Sequence, residues 1–324
     1  MTATAHAVSG THYDEQPFMV AIERFQHALA TAPMSAEPTA LCSHLQGQIE
    51  DMRGSFAVLA QDLQPDSYAT CKAACAELLH PFLKESPFVR RALEKPLGYA
   101  GDYEMMNMLY RDPWEGETTL GRALNVCFTN EPAAVANKNR IAYLGAVIHD
   151  RASSGSIRIA SIGCGPAKEV EVLLRESPEL RSRLDITLVD QEQLALDQCA
   201  RTIPSARPCK AGIRQLLRGS WPDSEGGFDL IYSAGMFDYL DARLFEAVSE
   251  RLFQALAPAG ELLLGNVAAD NPSRWIMDYF ADWCLIHRTP DELARFGTRL
   301  SGTASWVDAE PSGVNLFLHA VTGP

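Results

Sequence analysis

A turn with two glycines, placed directly after a short apolar run, constrains the fold of this chain more than any other feature. The run Ile157–Ile162 has the composition of a buried strand, and it continues into the turn Gly163–Pro166. A helix is predicted next, from about Ala167 to Arg175. Because glycine has no Cβ, a strand that ends in Gly-x-Gly can bring backbone N–H groups close to a ligand. The turn therefore predicts a nucleotide-binding site at the carboxyl end of a parallel strand.

Short apolar runs continue to alternate with amphipathic patterns after this turn. We predict strands at Asp185–Val189, Phe228–Tyr232 and Glu261–Val267, and helices at Gln191–Ala200 and Arg243–Leu256. This alternation indicates a parallel sheet with helices on both faces. Two more strands, Thr303–Asp308 and Asn315–Val321, are predicted on either side of a Pro-Ser-Gly turn. The predicted fold class is α/β, a Rossmann-like sheet with a closing antiparallel pair.

The first half of the chain has a helical pattern instead. Apolar residues recur at helical spacing over Phe18–Ala30, Ala40–Leu63 and Asp66–Leu79. Residues 1–17 are polar, and we expect them to be a flexible N-terminus. A polar linker at residues 150–156 separates the two patterns. We therefore predict a helical cap at 18–150, which contributes the lid of a pocket, and a ligand-binding Rossmann-like domain at 155–324.

Charge and composition exclude several classes of partner. The chain has 28 Lys+Arg against 41 Asp+Glu, a net charge of −13, and its densest basic segment, Arg201–Arg218, contains no aromatic residue. Nucleic-acid binding needs clustered basic residues, so no nucleic-acid partner is expected. No stretch approaches the roughly 18 apolar residues that span a bilayer, and the first twenty residues lack the pattern of a signal peptide. We expect a cytoplasmic protein without a membrane partner.

The cysteines and the common catalytic motifs give negative information. Eight cysteines are scattered without any C-x-x-C pair, so neither a metal site nor a disulfide framework is expected. The sequence has no H-E-x-x-H motif, no P-loop and no ordered Ser/His/Asp set. These absences argue against most hydrolases, metallopeptidases and nucleoside triphosphatases.

Polar residues at the ends of the next two predicted strands complete the binding site. Asp190 lies 25 positions after Gly165, where a carboxylate can accept both hydroxyls of a ribose. Ser233 ends the third strand and is expected to face the same crevice. The residues that we predict to bind the ligand here are Gly163, Cys164, Gly165, Asp190, Gln191 and Ser233.

A second motif lies in the helical half, at residues 96–112. Two glycines, two tyrosines and an aspartate within six positions are typical of a loop packed over a ligand, and the helix that follows places Met106, Asn107 and Tyr110 along one face. The alternative is a capped helix whose Met and Tyr side chains fill the core between the two halves. Farther on, Arg140 in the run Asn137–Arg140 is suited to hold a ligand carboxylate, although this run can equally be a solvated helix face.

The segment Asp282–Leu293 has a helix-start signature. Thr289 is predicted as the N-cap, with Pro290 at the first helical position and Glu292 at the third. Trp283 and Arg288, just before this helix, are candidates for the wall of the pocket.

The glycine turn and Asp190 resemble those of class I S-adenosylmethionine-dependent methyltransferases, over about residues 155–324. The resemblance implies that Gly163 and Gly165 hold the methionine part of S-adenosylmethionine and that Asp190 holds its ribose. The chain departs from the common pattern at two positions, where Ser161 replaces an acid and Ala167 replaces a third glycine. Ala167 narrows the room for a pyrophosphate, so a dinucleotide fits less well than an adenosyl ligand. A fold that has lost ligand binding is the remaining alternative.

Five segments together are similar to one bacterial branch of this family, over about residues 80–324. They are residues 98–103, 139–140, 161–166, 232–240 and 283–289. This branch includes azetidine-2-carboxylate synthases, which cyclise S-adenosylmethionine, and methyltransferases that form 3-hydroxypalmitate methyl ester. The resemblance of the chain to this branch implies a role in bacterial secondary metabolism. The implied catalytic pocket contains Tyr99, Asp102, Tyr103, Asn107 and Asn139, with Asp102 or an amide oxygen on the ammonium group and the tyrosines facing the sulfonium.

Two reactions and one binding function follow from this resemblance. We favour cyclisation, because the chain has no added acceptor domain and its Tyr/Asp/Asn motif suits the folding of one small zwitterion. The alternative is a small-molecule methyltransferase, which for a fatty-acid acceptor needs a long apolar channel that the sequence does not reveal. A protein that senses S-adenosylmethionine without turnover is the third possibility. The expected partner is a small-molecule substrate, and the sequence does not specify an oligomeric state.

Overall fold

A computed structural model describes residues 15–34, 36–60, 63–221, 226–300 and 304–323. Most of the segment predicted as a flexible N-terminus, residues 1–14, lies outside these ranges, as does the first residue of the predicted strand Thr303–Asp308.

The N-terminal part of the described chain is helical, as predicted. Proline occupies the first turn of several of these helices, where its missing N–H has no intrahelical partner to lose. The helices are α1 (Gln16–Ala30), α2 (Pro38–Leu59), α3 (Pro65–Leu78), α4 (His80–Leu83), α5 (Pro87–Glu94), α6 (Tyr103–Tyr110), α7 (Thr119–Phe128) and α8 (Pro132–Ser153).

The C-terminal part forms a seven-stranded sheet of order β3-β2-β1-β4-β5-β7-β6. The first five strands are parallel, and β7 pairs antiparallel with both β5 and β6. This arrangement confirms the predicted α/β class with its closing antiparallel pair. The strands are β1 (Ile157–Ile162), β2 (Leu184–Asp190), β3 (Arg207–Lys210), β4 (Phe228–Ser233), β5 (Leu256–Val267), β6 (Ala304–Ala309) and β7 (Asn315–Val321). The short strand β3 was not predicted.

Helices cover both faces of this sheet because β1, β2, β4 and β5 bury side chains on both sides. On one face α8 packs against β7, where the rings of Tyr143 and Phe317 stack 4.4 Å apart. On the other face Phe245 and Phe296 stack at 4.2 Å. The remaining helices are α9 (Lys168–Glu176), α10 (Gln193–Thr202), α11 (Ile213–Arg218), α12 (Ala242–Phe253), α13 (Arg274–Ala281) and α14 (Pro290–Gly297).

One helix from the C-terminal part packs into the helical part. Phe280 of α13 stacks on Phe25 of α1 at 5.2 Å, and Tyr279 contacts Phe18 and Phe56, which stack on each other at 4.5 Å. These packing contacts join the chain after the predicted linker, residues 150–156, to the helices before it. They bring the segment after α13, with Trp283, against the loop that precedes α6.

Within the described ranges, none of the helices combines the length and the apolar composition needed to cross a bilayer.

Candidate active site

A cavity of about 330 Å³ opens at the carboxyl ends of the parallel strands. Its position is the point where the strand order reverses, because β1 lies between β2 and β4. Ligands of open α/β sheets bind at this point. The cavity is bounded by the turn after β1, by residues 234–239 after β4, by the loop before α6, and by α8.

The glycine turn has a backbone conformation that residues with a Cβ rarely adopt. Gly163 and Gly165 have φ values of +63° and +52°. A Cβ on Gly163 would lie 3.0 Å from the Met236 side chain, whereas a Cβ on Gly165 would have only Tyr103, at 4.0 Å, within reach. Gly165 therefore leaves open space between the turn and α6. Ala167, where the family pattern has a third glycine, keeps a left-handed φ of +45°.

Asp190 ties the end of β2 to this turn. Its Oδ2 accepts a hydrogen bond from the Gly165 N–H at 2.8 Å, and its Oδ1 accepts one from the Glu192 N–H at 2.8 Å. Burial raises the pKa of the Asp190 carboxyl, and these backbone donors oppose that shift. A carboxylate has about four lone-pair sites, so Asp190 retains acceptor capacity for two further hydroxyl groups.

The loop before α6 covers the cavity and is fixed by two aromatic residues. The Tyr239 hydroxyl donates to the Ala100 carbonyl at 2.5 Å and accepts from the Trp283 Nε1 at 2.9 Å. Gly101 has a φ of +78°, and a Cβ there would lie 2.5 Å from the Trp283 ring. The Tyr99 ring meets the Tyr239 ring edge-on, with centroids 6.0 Å apart. This loop, residues 96–102, thus forms a lid that is tied to the segments after β4 and α13.

Three charged side chains, those of Arg140, Asp238 and Glu169, line the cavity. Arg140 of α8 donates to the Ala234 carbonyl at 3.2 Å and reaches the Met106 sulfur at 3.3 Å. Asp238 accepts the Val267 N–H at 2.7 Å, and burial raises its pKa to about 7. Glu169 accepts the Tyr232 hydroxyl at 2.7 Å, and burial raises its pKa as well.

The structure brings eight of the residues predicted from sequence to the cavity wall. They are Tyr99, Tyr103, Arg140, Gly163, Cys164, Gly165, Asp190 and Gln191. Trp283 also lies in the wall, whereas Arg288 is buried beside it and donates to the carbonyls of Phe237 and Leu240. Thr289 and Glu292 form the predicted capping box of α14.

Asp102 lies outside the cavity wall, contrary to the prediction. Its side chain is 1% exposed, and Oδ1 caps α6 by accepting the Met105 N–H at 2.9 Å. Arg91 forms a bidentate ion pair with the same carboxylate, with Nη2 2.8 Å from Oδ2. The structure therefore gives Asp102 the position of a helix cap and not that of an ammonium acceptor.

Asn107, Asn139 and Ser233 also lie outside the wall. Asn107 exchanges hydrogen bonds of 2.8 and 2.9 Å with Gln198, and Asn139 donates to Glu310 at 2.9 Å. Each of these two residues is next in sequence to a residue that lines the cavity, Met106 or Arg140. Because successive residues of a helix are rotated by about 100°, both amides point away from the cavity. The Ser233 hydroxyl is buried, without a hydrogen-bond partner among the described residues.

Sequence reasoning missed Glu169, Asp238 and Tyr239 as wall residues. Asp238 and Tyr239 follow β4, where the carboxyl-end rule for parallel sheets applies to them as it does to Asp190. Glu169 lies in the first turn of α9, directly after the glycine turn. Acidic residues are common at helix starts, so the sequence does not single it out as a ligand-binding residue. Across the described ranges, no three His, Cys, Asp or Glu side chains are grouped as metal ligands.

Comparison with known proteins supports the fold. The sequence matches no protein-family model and no curated protein. Among solved structures, a possible exported protein from Bordetella parapertussis is similar, with a TM-score of 0.56, 14% identity, and coverage of 99% of this chain and 100% of that one. The CurJ carbon methyltransferase has a TM-score of 0.50 and 14% identity, with coverage of 96% and 91%. Together with the strand order, this similarity shows that the chain has a class I methyltransferase fold.

Proposed function

We propose that this protein is an S-adenosylmethionine-dependent enzyme that cyclises S-adenosylmethionine to azetidine-2-carboxylic acid and releases methylthioadenosine. The observation that carries this proposal is the size of the lidded cavity. Its volume of about 330 Å³ is at the lower end of the roughly 300–1,000 Å³ typical of small-molecule sites. A site of this size suits one adenosyl ligand better than an adenosyl ligand together with a large second substrate.

The residues present fit this ligand. Gly165 leaves the open space that a close backbone approach requires, and Asp190 has free acceptor sites at the position of the ribose in this fold. Arg140 offers a guanidinium for a carboxylate. Tyr103, Tyr239 and Trp283 offer aromatic faces, which stabilise a sulfonium cation without a full counter-charge.

When bound, S-adenosylmethionine supplies both reactants: the lone pair of its neutral α-amine forms the N–Cγ bond, the Cγ–S electron pair leaves with sulfur, and one proton is released overall. The protein has to fold the ligand, exclude water and receive that proton. The lid and its anchors Tyr239 and Trp283 serve the first two tasks.

A second function, transfer of a methyl group to a small acceptor, is favoured by one separate observation. An apolar side pocket of about 40 Å³ shares Ala133, Asn137, Met277 and Trp283 with the main cavity. It has room for about three water-sized groups, so it suits an acceptor with a short apolar end. A long fatty-acyl chain is much larger than this side pocket.

Mass spectrometry of the purified protein with S-adenosylmethionine alone tests the proposal. We expect methylthioadenosine and the cyclised amino acid in equal amounts, above the spontaneous breakdown in a protein-free control. Gly165→Val provides a matched inactive protein, because the new side chain fills the cradle and disfavours φ of +52°. Intact, bound S-adenosylmethionine would overturn cyclisation. The formation of S-adenosylhomocysteine with added acceptors would then support methyl transfer, and tight binding without any product would support a sensor.

A further inference from the structure

Ser161, the residue before the last of β1, is small and carries no carboxyl group. The common family pattern has an acid at the position of Ser161, two residues before the first glycine of the turn. In the sheet, Ser161 is directly beside Tyr232 of β4, and both are buried. Tyr232 is therefore the neighbour of position 161 on β4.

Tyr232 carries its hydroxyl to a different acid. It donates to Glu169 Oε1 at 2.7 Å, and Glu169 lies in the first turn of α9 and in the cavity wall. Only 8% of Glu169 is exposed. The chain thus has serine at position 161 of β1 and a buried carboxyl group, bonded to Tyr232, in the first turn of α9.

Glu169 is a buried acid that has no cationic partner within ion-pair distance among the residues that the structure describes. None of the ion pairs formed by the described residues includes it, and the neighbouring Lys168 pairs with Glu171 at 2.8 Å. The groups that face it are Arg140 from α8, Tyr110 from α6, Tyr232 from β4 and Cys164 from the turn. A buried carboxylate is costly unless a cation compensates it. A positively charged ligand group in the cavity would supply this compensation.

We infer that Glu169 receives the α-ammonium group of the bound ligand and takes up its proton, in place of the acid absent from position 161. This inference rests on the proposed function. Arg140, which also lines the cavity, is placed to hold the ligand carboxylate, so the two side chains form a clamp for a zwitterion. The carboxylate gains one proton, the amine becomes neutral with its lone pair free, and the proton later passes to solvent. Glu169 is thus both a specificity residue and the base of the cyclisation.

Binding measurements on Glu169→Gln test the ammonium contact without any turnover. S-adenosylhomocysteine carries the amino-acid part, whereas methylthioadenosine has the same adenosine thioether and lacks it. We expect the variant to bind S-adenosylhomocysteine about 10-fold to 100-fold more weakly, as for the loss of a charged hydrogen bond. Methylthioadenosine should bind within about twofold of wild type. Glu176→Gln, at the exposed end of the same helix, is the matched control.

The pH dependence of the same binding tests the proton acceptor. In wild type the affinity for S-adenosylhomocysteine should fall as the pH drops through the raised pKa of Glu169, because the protonated carboxyl no longer attracts the ammonium group. Asp190 and Asp238 titrate in wild type and in Glu169→Gln alike, so the difference between the two profiles belongs to Glu169. Tyr232→Phe removes a hydrogen-bond donor to the carboxylate, so the affinity for S-adenosylhomocysteine should begin to fall at a higher pH than in wild type. This variant provides a test should Glu169→Gln fail to fold.

The outcomes separate this inference from the function on which it rests. A wild-type protein that binds neither ligand overturns the proposed function and the inference with it. A wild type that binds both, together with a Glu169→Gln variant that keeps the same preference and the same pH profile, overturns the inference alone. Turnover of S-adenosylmethionine by that variant at the wild-type rate and pH optimum would also overturn the role as base.

Discussion

Three buried carboxyl groups in the cavity wall differ in what holds them. Asp190 accepts two backbone N–H groups, Asp238 accepts one, and Glu169 accepts a tyrosine hydroxyl. Burial raises the pKa of all three. Asp190 is therefore tied to the backbone of the glycine turn, whereas Glu169 accepts from a side chain and is the acid that we propose for the ligand's ammonium group.

Replacing Asp190 should weaken ligand binding. Asp190→Ala removes the carboxylate that we propose as the acceptor of the ribose hydroxyls, and it releases the Gly165 N–H, so we expect affinity for S-adenosylhomocysteine to fall by about 1–3 kcal/mol. Isothermal titration calorimetry measures this loss. Asp185→Ala, on the exposed side of the same strand, is the control and should bind normally. An unchanged affinity in Asp190→Ala would remove this residue from the site.

Asp238 should make the ligand-free protein less stable as the pH rises. Its folded-state pKa of about 7 is above the unfolded value of about 3.9, so the folded state binds more protons between these values. In this window its contribution to the unfolding free energy falls with increasing pH. Asp238→Asn should therefore melt roughly 5 °C above wild type near pH 8, with the difference vanishing near pH 4.

Thermal melting across this pH range checks the Asp238 prediction. Asp270→Asn, an exposed substitution, should follow the wild-type curve. Parallel melting curves for wild type and Asp238→Asn would show that the carboxyl group titrates normally.

At the scale of elements, the lid and α6 act as one unit. Asp102 caps the helix, Met106 and Tyr110 face the cavity one turn apart, and Tyr239 fixes the lid at Ala100. The i, i+4 spacing was visible in the sequence, and so was the loop composition. The rotation that turns Asn107 toward α10 was not, because it depends on which helix packs there.

Removing the Tyr239 hydroxyl should loosen the lid and leave the ring packing in place. Tyr239→Phe loses the hydrogen bonds to Ala100 and from Trp283, so ligand affinity should fall by about 1–2 kcal/mol. Amide hydrogen exchange of residues 98–102 should accelerate. Tyr68→Phe, which loses a hydroxyl that bonds to Asp278 instead, should leave both quantities unchanged. Unaltered exchange in Tyr239→Phe would mean that other contacts hold the lid.

The elements that sequence reasoning missed share a physical cause. Strand β3 is four residues long, contains a proline, and lies at the edge of the sheet, so it has no periodic pattern of its own. Helix α13 is amphipathic, but its partner is the helical core near Phe25, far away in the chain. Local patterns predicted the buried strands β1 and β7 to the residue, because their side chains are buried on both faces. They carried no information on which distant surface α13 would cover.

At the scale of the whole molecule, a buried polar cluster joins α8 to the sheet. Glu261 of β5 pairs with Arg151 of α8 at 2.5 Å and with His319 of β7 at 2.5 Å. Tyr143 of α8 reaches the other ring nitrogen of His319 at 2.8 Å. Since α8 also carries Arg140 into the cavity wall, this cluster sets the position of one wall from the opposite end of the sheet.

Breaking this cluster should destabilise the molecule in a pH-dependent way. Its partners lower the pKa of Glu261, so its contribution to stability is present above the unfolded value and is lost as the pH falls through the folded value. Glu261→Gln should cost about 3 kcal/mol near pH 7 in urea unfolding, and the difference should shrink in acid. Glu117→Gln, 87% exposed, is the control. A constant difference at all pH values would assign the loss to packing.

The position of β7 between β5 and β6 has a consequence for synthesis on the ribosome. Strand β6 emerges first, yet its pairing in the sheet is with β7. The edge of β5 from Glu261 to Val267 also stays unpaired until β7 has been synthesised. A nascent chain that pauses between residues 268 and 314 therefore presents an unpaired apolar edge, the kind of surface that recruits other chains. Translation speed through this interval, and chaperone supply during it, should decide the yield of native protein.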